Sequence, residues 1–582
     1  MDTAPINKYR PEIDGLRAIA VLPVIFFHFG VMPNGYLGVD IFFVISGYLI
    51  TGIIYKQILN NCFSIKNFYI KRTRRILPLV SFICLVALII GIFTMLPDDL
   101  ENLSQSIIAT NFFSNNILQI LTTKNYWDVV NEFKPLMHTW SLALEEQYYL
   151  FYPFLFLLIG KKRISWLLPI LVTLTIISII LYFSNFPEYY KFYFLQFRFF
   201  ELSIGGIAAI VFFGKTIKHA FNSLIIILLC SLLAVNLGFL PDSIKLLLSV
   251  ALTVLVLISN NSNSKTSKLL LENKAFILIG KISFSLYMWH QIVLAYARYF
   301  VFKELDSFNL SIVFIVTFIL SYISFQFIES PFRMSKRLTN KMVLSTILVV
   351  TIFTTTSSFY IYNRAGVIKD VPELGINFAK IEKNMHSKYN DRIYNYNKGF
   401  QKNSSRIKIL VLGNSFARDW ANILLESNFN SRIQLTYIYD PQYSKKLQKL
   451  NNASDFIFSS ALSEEKLAIL KITKEKLWVV GTKNFGLNNG YFYNYSGDDY
   501  CEQRTTMEDG YLIDNENKKT IWGEKYVDLI GPVISDKDNT VPVFTRNCKF
   551  ISQDCRHLTK EGSIFYAKIM QARIAEILTT IP

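Results

Sequence analysis

Three groups of residues in this sequence have the types and spacings that chemistry needs. The first is Ser415 with Asp554 and His557. Ser415 follows an apolar run, RIKILVLG, then Asn414, and precedes a helical pattern. A serine at a strand-to-helix turn presents its hydroxyl outward, beside backbone N–H groups that stabilise an oxyanion. Asp554-x-x-His557 stands near the far end of the same stretch, ahead of a glycine and an amphipathic pattern. His557 is placed to take the serine proton and Asp554 to orient the imidazole. Either motif alone is weak, but their order at opposite ends of one α/β pattern is not. The second group is Arg17 and His28, with ten residues between them inside an apolar segment, and Asp40 in the next one. On one helix that spacing is roughly 16 Å, about half of a hydrocarbon core. A charge at the centre of a membrane helix costs on the order of 3 kcal/mol, so such positions are functional candidates by default. The bland alternative has Arg17 reaching the interface and His28 simply packed. The third group is Arg72-x-x-Arg75 at the mouth of an apolar segment, with His138 and Glu145 in another. Arginine suits bidentate phosphate contacts, although a basic loop between spans needs no ligand to explain it.

These residues are positioned by a chain that is largely apolar. Of 582 residues, 52% are hydrophobic and 15% aromatic, which excludes an ordinary soluble enzyme of this size. The net charge of +17 does not form one patch, so nucleic acid is not the expected partner. Instead the basic residues fall between apolar runs, and membrane lipid is the expected surroundings. Eleven apolar segments of roughly spanning length lie near 13–30, 37–55, 76–96, 138–159, 164–183, 193–213, 221–240, 243–259, 276–302, 308–328 and 342–362. Lys and Arg cluster in alternate links, including 66–75, 161–163, Lys215 and Lys218, 265–274, and 333–341 with Lys336. That bias puts the N-terminus in the cytoplasm and everything after about 364 outside. By those directions His28, Asp40, His138 and Glu145 belong to the outer half, and Arg72 and Arg75 to the inner side.

The soluble part is expected to be an α/β domain with further strands at RIQLTYIY, ASDFIFSSAL and KLWVVGTKNFG. Cys501, Cys548 and Cys555 fall in it and allow one disulfide, leaving one thiol. Cys548 and Cys555 flank the Asp554–His557 motif and are one such pair; the pairing stays open. No Cys/His spacing suggests zinc or another metal.

The signatures IDGLRAIAV, Arg17-x10-His28, GVDIFFVISGYLI and WSLALEEQYY resemble acyltransferase family 3, integral membrane enzymes that acylate surface carbohydrates. From near residue 406 the chain resembles SGNH-type hydrolases and acyltransferases. The resemblance implies a membrane domain over 1–335, an eleventh transmembrane helix over 336–363, an extracytoplasmic linker over 364–405 and an SGNH-like three-layer domain over 406–582. It implies a multi-pass helical bundle of ten spans plus an eleventh in a bacterial inner membrane, with the last domain periplasmic or extracellular. It also implies acetyl-CoA as acyl donor, bound through Arg17, Arg72 and Arg75, with no cofactor held permanently. His28 and Glu145 would be acid/base or acyl-relay residues, with Asp40 in support. The acceptor would be a hydroxyl of an envelope polysaccharide, lipopolysaccharide O-antigen first, with peptidoglycan as alternative. The SGNH pattern departs here from Gly-Asp-Ser, since Asn414 stands where Asp is usual. Its Gly-x-Asn-Asp block is not intact, and Gly481 and Asn484 are the oxyanion donors on offer. Two other classes fit the same residues: a transporter with a glycan-binding domain, and an external esterase with a membrane anchor.

Overall fold

In this computed structural model the structure describes residues 9–122, 131–215, 222–259, 265–301, 305–335, 337–380, 385–401 and 404–579. Lys218 and Lys336 lie outside them. The chain divides into two compact units. One holds the described residues up to 359, apart from 91–102 and 298–301. The other holds those two pieces and the described residues from 360 onward.

The first unit is helical throughout. Each of the eleven apolar segments contains helix: Pro11–His28, Gly38–Leu59, Ile65–Thr94, Thr139–Ile159, Leu167–Phe183, Leu195–Val211, Asn222–Ala234, Asp242–Ile258, the pair Lys274–Lys281 and Ser283–Phe300, Ser307–Ser324, and Asn340–Asn363. Among the described residues five helical stretches are long and apolar enough to cross a membrane, or six if the pair bent by 68° near Ile282 counts as one. The others are too short or too polar. At about 1.5 Å per residue, a 17-residue helix such as Leu195–Val211 reaches only ~26 Å, and this one carries Arg198 and Glu201. The 97–137 segment, between two of the apolar runs, also contains helices Pro97–Asn111 and Asn115–Thr122. Proline and two aspartates in the first turn of Pro97–Asn111 are ordinary helix-start signals.

Two helices of this unit touch through backbone. Gly47 on Gly38–Leu59 faces the backbone of Leu202, and Gly205 on Leu195–Val211 faces that of Val44. A Cβ at either position would collide with the opposite main chain, so glycine sets this close approach.

The second unit is built on a five-stranded parallel sheet. Its strands are β1 (Ile407–Gly413), β2 (Ile433–Tyr439), β3 (Phe456–Ser460), β4 (Leu477–Val480) and β6 (Tyr526–Val527), in the order β2-β1-β3-β4-β6. A small antiparallel pair joins β5 (Arg504–Thr506) to β7 (Thr540–Pro542). Along β1 the pleat sends Ile409 and Val411 into one hydrophobic cluster and Leu410 and Leu412 into another. The first cluster includes residues of helices Ser415–Glu426, Lys560–Ile569 and Gln571–Thr579; the second includes residues of Lys445–Ala453 and Glu464–Ile469. Helices therefore cover both faces, and a strand buried on both reads as a continuous apolar run. At roughly 1.5–3 kcal/mol for each buried aliphatic side chain, β1 alone contributes several kcal/mol. Ile393, from the stretch read as a linker, is fully buried in the first cluster.

The disulfide joins Cys501 to Cys548, not Cys548 to Cys555. Cys555 is a buried free thiol instead, 1% exposed. Cys501 stands just before β5 and Cys548 just after β7, and the antiparallel pairing of those strands brings the two ends near each other, which spacing along the chain does not disclose.

Candidate active site

β1 ends at Gly413, whose φ of +131° suits glycine. The neighbours of β1 diverge there, since β2 lies on one side and β3 on the other. In an open parallel sheet this switch point, at the carboxyl ends of the strands, is where ligands bind. Asn414 caps the following helix, its side chain accepting from the Phe416 N–H at 3.0 Å. Ser415 is therefore the first helical residue, where N–H groups lack intrahelical acceptors and the helix dipole favours negative charge.

The structure brings the three expected residues together. His557 Nε2 lies 2.9 Å from Ser415 Oγ, and His557 Nδ1 lies 2.5 Å from Asp554 Oδ2. The other Asp554 oxygen accepts from the N–H groups of His557 at 2.7 Å and Arg556 at 3.0 Å. Burial alone would raise the Asp554 carboxyl; the imidazole and these two N–H groups override it and hold the group well below the usual carboxylate range. A carboxylate on Nδ1 and a hydroxyl on Nε2 is the arrangement of a serine activated by a general base.

Asn414, Gly481 and Asn484 take other roles. The Asn414 side chain is committed to the helix cap. The Gly481 N–H donates to Val527 O at 2.9 Å, which extends the pairing of β4 with β6. The Asn484 amide donates to Gly486 O at 3.2 Å and Glu508 Oε1 at 2.8 Å, and its oxygen accepts from the N–H groups of Gly486 and Glu508. Both donors of that buried amide are thus spent, one on Gly486 of its own turn and one on Glu508. Lys483, the residue before Asn484, belongs to no motif that marks it in the sequence. It is 1% exposed, with Nζ 2.6 Å from Asp419 Oδ2.

Among the described residues, the cavities of the first unit include two that the expected residues line. One, of about 80 Å³, is lined by Arg17, Arg72 and Arg75 together with Ser46, Glu145, Tyr149 and Tyr287. The guanidinium of Arg72 stands 5.0 Å from the centroid of the Tyr149 ring. Arg74, on another face of the same helix, donates instead to Phe332 O, Ser335 O and Leu338 O. The three-residue spacing of Arg72 and Arg75 thus turns both into the cavity and leaves the arginine between them to hold the fold. Glu145 accepts from the hydroxyls of Ser46 and Tyr149. His28, Asp40 and His138, expected in the same half as Glu145, line the other cavity; Glu145 follows His138 by seven positions along the helix, about 10 Å.

The other cavity, of about 470 Å³, is lined by His28, Asp40, His138, Trp140, Tyr193 and Arg198 among others. His28 and His138 each lie 5.2 Å from the His290 ring, centroid to centroid. His290 is fully buried. Asp40 pairs with Arg198, and Arg198 Nε is 2.8 Å from Glu201 Oε1. Asp40 is thus one end of a buried three-residue charge cluster, while Arg198 and Glu201 are a pair three residues apart on one helix. Val39 and Tyr287 line both cavities. Arg17 and His28, on one helix, fall in different ones.

A Staphylococcus aureus (strain MSSA476) protein whose name includes O-acetyltransferase is 33% identical over 355 residues, which cover 56% of this chain and 58% of the relative. "Peptidoglycan O-acetyltransferase OatA" of Listeria monocytogenes serovar 1/2a is 32% identical, with 56% of each chain covered. "O-acetyltransferase OatA" of Staphylococcus aureus (strain NCTC 8325 / PS 47) is 29% identical over 56% of this chain and 57% of the relative. The chain spans just over half the length of these relatives. No solved structure gives a significant match. The family model described as an acyltransferase domain, the third of that name, matches residues 10–361. Because that match takes in more than half of the chain, including every helix that carries Arg17, His28, Arg72, Arg75 and Glu145, the chain belongs to acyltransferase family 3.

Proposed function

We propose that this protein transfers an acetyl group from cytoplasmic acetyl-CoA, across a membrane, to hydroxyls of a cell-envelope glycan. The observation that carries the reading is the hydrogen-bonded Ser415–His557–Asp554 chain on the same polypeptide as a family 3 bundle. A triad alone supports hydrolysis as readily as transfer; the bundle supplies the reason to expect transfer.

In this account the bundle has ten spans and an eleventh, in the bacterial inner membrane, with the N-terminus in the cytoplasm. The positive-inside bias supports that orientation. Arg17, Arg72 and Arg75 offer a phosphate-rich donor the planar donors that phosphate favours. His28, in the second cavity, handles the acyl group on its way out, next to His138 and His290. Ser415 then receives it. As Ser415 Oγ attacks the acyl carbonyl carbon, its proton passes to His557 Nε2 and on to the leaving group. A glycan hydroxyl next gives its proton to His557 and attacks the acyl-serine, the new ester forms, and Ser415 regains its hydrogen. Lipopolysaccharide O-antigen was the acceptor expected from sequence. The name of one relative favours peptidoglycan instead.

The test supplies acetyl-CoA labelled in its acetyl group to inverted membrane vesicles containing the full chain. Label is then sought in separately purified peptidoglycan and lipopolysaccharide. Alkali-labile label in a glycan, lost with Ser415→Ala, is the expected result. Release of free acetate from acetylated glycan without incorporation would establish the esterase alternative. Incorporation that does not need Ser415 would restrict the transfer to the bundle.

A further inference from the structure

Helix Ser415–Glu426 carries Ser415 and Asp419 four residues apart and so on one face. From that face two hydrogen bonds reach adjacent residues of the segment that carries the general base. Ser415 Oγ meets His557 Nε2 at 2.9 Å, and Asp419 Oδ2 accepts from the Leu558 N–H at 3.0 Å. The nucleophile helix and the base segment are thus fastened at two points, about one helical turn apart. Asp419 is fully buried, and among the described residues its Oδ1 has no hydrogen-bond partner. A carboxylate so far from water is costly to bury without a counter-charge beside it. Lys483 provides one, with Nζ 2.6 Å from Asp419 Oδ2 and 4.3 Å from the ring centroid of Phe416, the residue after Ser415. It arrives from a third segment, the one that follows β4.

We propose that Asp419 and Lys483 are a positioning pair for the Ser415–His557 contact. The proposal rests on the reading of Ser415 as nucleophile. Lys483 pairs with Asp419, and Asp419 holds the main chain beside His557 where its Nε2 meets Ser415 Oγ. Neither touches the reacting atoms. A buried ion pair of this kind adds little to stability when weighed against apolar side chains of similar size, and loss of one partner leaves the other stranded. Its use here is registry between three segments that the sheet alone does not align.

The test measures how fast a sulfonyl fluoride modifies Ser415 in the full chain in detergent, read by mass spectrometry, with Ser415→Ala as the blank. Thermal midpoint and the Cys501–Cys548 disulfide report folding in parallel. Lys483→Met is expected to slow modification ~10- to 100-fold, the scale of a misplaced catalytic group. Lys483→Arg retains most of the rate. The double variant Asp419→Asn with Lys483→Met removes both charges but keeps an acceptor for Leu558, and it recovers most of the loss. Modification of Lys483→Met at the unsubstituted rate would overturn the proposal, whatever its thermal midpoint. So would a double variant slower than Lys483→Met alone. If Lys483→Met does not accumulate, the double variant decides against Asp419→Asn: it is expected to be the faster of the two, and the reverse order overturns the proposal. No modification of Ser415 in the unsubstituted protein would contradict the nucleophile reading itself and the positioning role with it.

Discussion

Asp554 shows how one side chain links chemistry to stability. Its carboxyl is held far below the unfolded value of about 3.9, so folding favours its ionised form. The stabilisation it contributes is fully present above about pH 4 and is lost as pH falls through the folded value. The difference in thermal midpoint between the protein and Asp554→Asn is therefore expected to hold steady down to about pH 5 and to narrow as pH falls below about 4. A gap that does not change with pH would contradict this. Near neutral pH, Asp554→Asn is also expected to cut acyl transfer through Ser415 by ~10⁴-fold, since an amide in that position favours the wrong imidazole tautomer. Ser415, Asp554 and His557 were legible in the sequence because each sits at a punctuation point, where a strand ends or a helix begins. Lys483 and Asp419 were not. An aspartate inside an amphipathic helix and a lysine after a strand ordinarily face solvent, and only the fold shows that both are buried against each other.

Among the elements, the helix that begins at Ser415 depends on its cap. Asn414→Ala removes the acceptor of the Phe416 N–H and is expected to cost about 1 kcal/mol, seen as a lower unfolding midpoint, with a matching fall in Ser415 modification rate. A variant as stable as the unsubstituted protein would show that the cap does not fix this helix. The Cys501–Cys548 bond spans a sequence separation of 47, and in the chain-entropy account such a loop closure contributes about 4 kcal/mol. Reduction is therefore expected to destabilise the C-terminal unit by that order, which denaturant titration with and without reductant would measure; no shift would contradict it. The four long strands of the sheet were readable as apolar runs bounded by turns. The two-residue strand β6 was not, since it is too short to show a period and exists only because β4 offers it an edge. The helices in the 97–137 segment were missed for the opposite reason. Their start signals are present, but a polar stretch between apolar runs was read as a link.

At the scale of the whole molecule, the eleven apolar segments and the α/β pattern were both visible in sequence, because burial in lipid and burial between helix layers each demand continuous apolar residues. Which cavity each buried polar residue lines was not visible, since depth along a helix decides it as well as face; Glu145, two turns from His138 on nearly the same face, is the example. The proposed orientation makes a separate prediction. Cys62 is exposed, in the basic stretch ahead of Ile65–Thr94. A membrane-impermeant maleimide is expected to reach it only after cells are permeabilised, and labelling in intact cells would invert the topology. The central claim is that bundle and α/β unit act in one transfer path. The O-acetyl content of purified envelope glycan, measured by NMR for the unsubstituted protein, His28→Ala and Ser415→Ala at equal protein levels, tests it most directly. Loss of the acetyl signal in both variants is the predicted result; a normal signal in either one would contradict a single path.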